Sequence, residues 1–336
     1  MNGSYSLVTA LVAFALTALS GFILIPYLRR LKFGQTILDI GPAWHKSKQG
    51  TPTMGGFMFI IGITAAAVIG YMTVIGQTDW AMQPESLLAT AKYFVGLATA
   101  LAFGFIGFMD DYVKVVKKRN LGLTASQKLL MQFLVAFVFL AGLYWAGDRS
   151  TVVFIPFMGQ LDLGVFYYVL AVLGMVGFVN AVNFTDGIDG LAASVTFVVA
   201  LSFVAVGILL RQWLTSAMAL ALAGGCLGFL VWNFHPAKVF MGDTGSLFLG
   251  GLVAALGFSA GIPVFLLFMG IIYICEIGSV VLQVISFKST GKRIFKMSPI
   301  HHHYEMSGYS EVKIVFLFSL VTLVGCALAI WAVMGL

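Results

Sequence analysis

Residues 7–32 read LVTALVAFALTALSGFILIPYLRRLK: an uncharged run over 7–28, followed at once by Arg29, Arg30 and Lys32. An α-helix needs about 20 consecutive apolar residues to cross the hydrocarbon core of a bilayer. The run is continuously apolar, whereas a barrel strand would alternate over about 10 residues, so a helix is expected. Positive charge directly behind a span marks the cytoplasmic end, which places the N-terminus outside. No Lys or Arg precedes Arg29, so the basic opening of a cleaved signal peptide is missing and the run is expected to stay as the first span.

The rest of the chain repeats this pattern. Of 336 residues, 60% are hydrophobic and 10% charged, whereas a soluble domain is roughly half apolar and about a quarter charged. So little charge cannot cover a water-facing surface, which excludes a soluble enzyme, a disordered scaffold and a nucleic-acid-binding domain. An all-α integral membrane protein is expected, one polytopic domain over 1–336, with ten spans at 7–28, 53–76, 92–109, 128–146, 164–182, 191–209, 214–232, 245–260, 264–286 and 313–335. Between spans four and five, Val152-Val153-Phe154-Ile155, then Pro156 and Gly159, predict a short β-hairpin on the outer face. Cys226, Cys275 and Cys326 sit in apolar runs without CxxC spacing and read as small buried hydrophobes.

Counting charge tests the orientation. The expected inner loops are 29–52, 110–127, 183–190, 233–244 and 287–312; with Lys128 and Lys313 they hold 16 of the 19 basic residues. Only Lys92, Arg149 and Arg211 fall on the other side. The split predicts both termini outside, a cytoplasmic active-site face, and a net charge of +6 that reflects loops rather than a polyanionic partner. The same loops carry Asp39, Asp110, Asp111, Asp186, Asp189, Asp243, Glu305 and Glu311, together with His45, His235, His301, His302 and His303.

Carboxylates at membrane depth are costly and usually functional. In Gly107-Phe108-Met109-Asp110-Asp111-Tyr112-Val113-Lys114 two adjacent acids end an apolar helix, with Lys114 on the face of Asp110. A stop signal is normally basic, and adjacent acids repel unless they face a cation. In Asn180-Ala181-Val182-Asn183-Phe184-Thr185-Asp186-Gly187-Ile188-Asp189-Gly190 polar groups recur every third residue; Asp189 also reads as a cap for the next span, which explains one of the four. Gly242-Asp243-Thr244-Gly245-Ser246 opens span eight, with Asp243 either an N-cap or part of a phosphate-facing element. Three acidic clusters in separate loops of one face suit Mg²⁺, which takes oxygen ligands and bridges to phosphates.

His301-His302-His303 diverge on any regular element, so they read as phosphate contacts beside Lys292, Arg293 and Lys296 rather than as a chelate. Lys48-Gln49-Gly50-Thr51-Pro52-Thr53-Met54-Gly55-Gly56 has phosphate-loop chemistry without the P-loop spacing. Glu276 is a further acid within span nine, and Asn233-Phe234-His235-Pro236 reads as the end of span seven.

Taken together, these motifs, in this order and on one face, resemble the polyprenyl-phosphate N-acetylhexosamine-1-phosphate transferase superfamily, and within it the branch that uses UDP-N-acetylmuramoyl-pentapeptide. The resemblance covers the whole chain without departure in the motif residues. It implies a bacterial cell-membrane enzyme that passes phospho-N-acetylmuramoyl-pentapeptide to undecaprenyl phosphate, releases UMP and requires Mg²⁺. It also admits a homodimer. By motif match, Asp110 and Asp111 would act near the lipid phosphate, with Asp110 the suggested base, and Asp243 would hold the metal. Lys48, Asn180, Asn183, Asp186, Asp189, His301, His302 and His303 would line the nucleotide and pyrophosphate site. Attack by the lipid phosphate in one step is favoured over a covalent aspartyl intermediate, because a phosphate is already a competent anion. A sister enzyme using another UDP-N-acetylhexosamine is the nearest alternative. A secondary transporter is the remote one, since it would carry its acids in mid-span and show internal repeats.

Overall fold

The computed structural model describes residues 3–31, 48–76, 86–116 and 122–335; Asp39 and His45 lie outside them. The helices are α1 (Gly3–Arg30), α2 (Gly56–Ile75), α3 (Ser86–Val116), α4 (Ala125–Ala146), α5 (Phe166–Thr185), α6 (Leu191–Leu209), α7 (Trp213–Asn233), α8 (Gly242–Ser259), α9 (Leu266–Met269), α10 (Ile271–Thr290), α11 (Ile300–Glu305) and α12 (Glu311–Val333). Between α4 and α5 the expected hairpin forms from β1 (Val152–Ile155) and β2 (Gly159–Asp162), antiparallel with Val153 opposite Leu161.

Among the described residues, nine helices are long and apolar enough to cross a membrane. Each matches an expected span. The tenth expected span is α8, which is not among the nine because its 18 residues open on the polar stretch Gly242-Asp243-Thr244-Gly245-Ser246. Residues Thr244 through Phe258 of α8 are all buried, packed among α3, α5 and α2. A helix encased by protein needs no lipid-facing apolar surface, so its polar first turn is tolerated. Contact with α3 is close because Gly107 faces backbone: a Cβ there would stand 2.0 Å from the Asp243 carbonyl oxygen. Small residues at such crossings let helix backbones approach.

Three expectations need correction. Span nine is not one rod: a 3₁₀ turn (Pro263–Phe265) and α9 precede a break at Gly270, where a Cβ would meet the Phe178 ring at 2.7 Å. Asp110 and Asp111 do not end span three, because α3 runs on to Val116, with Lys114 pairing back to Asp110 at 2.6 Å. Cys275 is exposed on α10, while Cys226 and Cys326 are buried as expected.

Candidate functional site

The end of α3 and the start of α8 bring together three carboxylates from two distant segments. Asp110, Asp111 and Asp243 each offer an oxygen within 4.8 Å of the others, a spacing that a single cation can span. Lys114 Nζ lies 2.6 Å from Asp110, 3.0 Å from Asp243 and 3.9 Å from Asp111. Lys128, from the first turn of α4, reaches Asp243 at 2.9 Å. Asn183 Nδ2 donates to Asp243 Oδ1 at 2.9 Å and to Ser246 Oγ at 2.7 Å. All ligand atoms facing this cluster are oxygen, and three acids outnumber two ammoniums.

The two adjacent acids have different tasks. Asp111 accepts from the Asp243 N–H at 3.2 Å, the Thr244 N–H at 2.9 Å and the Thr244 hydroxyl at 2.7 Å. It therefore caps the N-terminus of α8 from another helix, where a negative charge also favours the helix dipole. Asp243 is not that cap: it sits in the first turn, after Met241, which makes no side-chain cap. Gly242 permits the entry with φ +71°, and a Cβ there would meet Asp111 Oδ2 at 2.5 Å. Among the described residues Asp110 accepts the Leu123 N–H at 2.9 Å, pairs with Lys114 and shares a side-chain hydrogen bond with Asp243.

A second cluster lies on the other side of Asp186. Lys48 Nζ is 2.7 Å from Asp189 and 2.6 Å from Glu311, and His235 Nδ1 is 3.0 Å from Asp189. Asp189 does not cap α6. Its oxygens are taken by Lys48, His235 and the Ala237 N–H, while the Gly190 N–H goes to Asn233. Between the clusters, Asp186 follows the last residue of α5. Burial, then the charges of Asp243, Asp111 and Asp189, push its carboxyl up to about 8.

The expected divergence of the three histidines is only partial: the His301 and His302 ring centroids lie 4.1 Å apart, while the His303 ring turns to Phe295 and Tyr304. His301 is buried, 3.0 Å from Glu276, the acid whose partner the sequence does not reveal. Its ring also lies against Gly187, where a Cβ would stand 2.1 Å from Nε2. His302 pairs with Glu305 at 2.6 Å, and His303 accepts the Lys296 N–H at 3.2 Å. Lys292, Arg293 and Lys296 beside them are exposed.

Two motifs are partly structural. The Asn180 amide is committed to Gln132 on α4, at 2.7 Å, and to the Val176 carbonyl, apart from the acids. The Gly55 and Gly56 N–H groups donate to the carbonyls of Phe240 and Met241 at 2.8 and 3.0 Å, so they do not cradle a phosphate. They hold the start of α2 against the α8 entry. Sequence reading passed over Lys128, Glu311 and His235 as site residues; their only local signal is a charged or polar residue beside a span.

Comparison with known proteins places the chain in a family. The family model of glycosyl transferase family 4 matches residues 93–261, which include Asp110, Asp111 and Asp243. The chain is 48% identical to the phospho-N-acetylmuramoyl-pentapeptide-transferase of Heliobacterium modesticaldum over 95% of each chain. It is 45% identical to that of Oceanobacillus iheyensis over 98% of each, and 44% identical to that of Alkaliphilus metalliredigens over 99% of each. At that identity and coverage, the chain belongs to glycosyl transferase family 4 and, within it, to the phospho-N-acetylmuramoyl-pentapeptide-transferase family.

Proposed function

We infer that the chain transfers phospho-N-acetylmuramoyl-pentapeptide from its UDP-activated form to undecaprenyl phosphate, giving lipid I and UMP. The observation that carries this reading is the Asp110–Asp111–Asp243 cluster under Lys114 and Lys128, in a chain nearly half identical to enzymes of that name. The membrane would be the bacterial cell membrane. The 16-to-3 basic split supports a cytoplasmic site, with the hairpin and both termini outside.

The donor set suits Mg²⁺: hard oxygen ligands and an excess of acid over ammonium. Bound there, Mg²⁺ would supply charge neutralisation at the pyrophosphate. Asp243 is its principal ligand in this reading, with Asp110 beside it. Lys114 and Lys128 balance the acids in the free protein and would turn to the phosphate oxygens when substrate enters. Asp111, saturated by the α8 N-terminus, is a positioning residue. Asn183 orients Asp243. Asp186 lies between the acids and the Lys48–Asp189 pair, and the nucleotide and pyrophosphate would sit along this line, while His301, beside Glu276, closes one wall and presents His302 and His303. Asn180 contributes through Gln132 rather than by touching substrate.

In the favoured course, an oxygen of undecaprenyl phosphate attacks the sugar-side phosphorus of the UDP-sugar. The bond from that phosphorus to the bridging oxygen breaks, and UMP leaves with that oxygen. Positioning and charge stabilisation are the protein's main tasks in such a transfer. Asp110 is the carboxylate with the fewest fixed partners in the cluster, which suits it to receive a proton from a lipid phosphate still carrying one. Radiolabelled transfer from a panel of UDP-sugars to undecaprenyl phosphate, with and without EDTA, tests the reading. Product is expected from the muramoyl-pentapeptide donor alone and is abolished by EDTA; transfer from UDP-N-acetylglucosamine instead would assign a sister activity.

A further inference from the structure

A cavity of about 680 Å³ lies far from the acids, between the starts of α3 and α7 and the end of α8. On α8 the lining runs from Leu252 to Ser259, 9 to 16 residues beyond Asp243, or about 14–24 Å at 1.5 Å per residue. Leu88, Trp213, Leu214, Met218, Leu252 and Leu256 make its walls largely apolar.

Three polar features break that wall. Lys92 lines it, bridged to Asp148 at 2.7 Å. Ser259 lines it with a buried hydroxyl that has no hydrogen-bond partner. Arg211 lines it with no ion pair or hydrogen bond to its side chain among the described residues.

Arg211 is unusual twice over. Its φ is +57°, in the turn that closes α6, where Gln212 N donates back to Gly207 O at 2.7 Å. That left-handed closing position is one glycine fills without steric cost. Arg211 is also one of only three basic residues outside the inner loops and their flanks, and two of those three line this cavity. An exposed cation in a left-handed conformation, without a partner among the described residues, beside an apolar chamber at a helix-end level of the bundle calls for a ligand that is anionic at one end and apolar at the other.

We propose that this cavity binds an anionic phospholipid of the outer leaflet: the phosphate faces Arg211 and accepts from the Ser259 hydroxyl, and one acyl chain occupies the Leu88–Trp213–Leu252 wall. A free anion does not account for the apolar lining, nor a neutral lipid for Arg211. The site is separate from the transfer chemistry.

Arg211→Gly is the decisive variant, because it removes the cation and places at φ +57° the residue that conformation favours. The purified full chain is incorporated into nanodiscs of dioleoyl phosphatidylcholine, and dioleoyl phosphatidylglycerol is titrated in, with retained lipid counted by native mass spectrometry. Wild type and Arg211→Lys are expected to retain one phosphatidylglycerol in preference to phosphatidylcholine. Arg211→Gly should weaken that preference by about fivefold, the worth of one cation near a charged lipid, with its thermal midpoint kept or raised. Glycerophosphoglycerol, the headgroup without chains, should not compete. Equal preference in Arg211→Gly and wild type, no preference in wild type, or competition by the chain-free headgroup would each overturn the proposal.

Discussion

Asp111→Ala separates a positioning role from a chemical one. The substitution removes the acceptor of two backbone N–H groups and one hydroxyl at the start of a buried helix. The Thr244 hydroxyl can turn to a carbonyl of the preceding turn, but the Asp243 and Thr244 N–H groups are left without an acceptor. A buried donor that loses its partner costs about 1–3 kcal/mol, and a lost cap about 0.5–2 kcal/mol. These describe one and the same loss, about 2–3 kcal/mol, which for a chain of 336 residues is a fall of about 3–4 °C in thermal midpoint. The assay is tryptophan fluorescence of detergent-solubilised protein at one scan rate, since unfolding of such proteins is commonly irreversible. Asp110→Asn, measured alongside, should keep the midpoint and the UDP-sugar affinity while turnover drops about 10²–10⁴-fold. An Asp111→Ala protein with an unchanged midpoint and no activity would refute the capping role and make Asp111 a chemical participant.

Other consequences follow from the packing and the charges. Gly107→Ala puts a methyl group 2.0 Å from the Asp243 carbonyl oxygen; it should cost about 1–3 kcal/mol and depress turnover by parting Asp110 from Asp243, and a variant with normal rate and midpoint would contradict the geometry. Asp186 carries a folded-state pKa raised to about 8, so its contribution to stability is fully present below pH 4, fades as pH rises from there to 8, and levels off above. Metal-free wild type should therefore lose thermal midpoint relative to Asp186→Asn across that window, whereas parallel curves would refute the raised value. For orientation, in a Cys275→Ser background, a cysteine at Gln160 should react with an impermeant maleimide on intact cells and one at Lys292 should not; the reverse labelling would invert the topology.

Much of this was readable before any coordinates. The run 7–28 and its successors have one physical solution in lipid, so most helix positions follow to within a few residues, while α3 is longer than expected by six and seven residues at its ends and α10 starts seven residues late. The acids stood out because membrane depth penalises them whatever surrounds them, and the Asp110–Lys114 pair follows from helical spacing alone. The losses share a cause: partners set by packing between distant segments. Asp111 caps a helix 132 residues on, and Glu276 meets His301 from 25 residues away. Asn180 shares the three-residue rhythm of Asn183 and Asp186, yet it points to Gln132, because the set drifts around the helix and α4 covers that side. Burial of α8 was equally hidden, since an apolar sequence does not say whether lipid or protein surrounds it.

The central claim is that the Asp110–Asp111–Asp243 cluster is the seat of a metal-dependent phosphoryl transfer. Its most direct test is the rate of transfer from UDP-N-acetylmuramoyl-pentapeptide to undecaprenyl phosphate by purified wild type and Asp243→Ala across a Mg²⁺ titration. Wild type should be silent in EDTA and saturate with Mg²⁺. Asp243→Ala should lose 10²-fold or more, the cost of removing an interaction that stabilises charge in the transition state. Full turnover of Asp243→Ala at ordinary Mg²⁺, or transfer by wild type in EDTA, would contradict the claim.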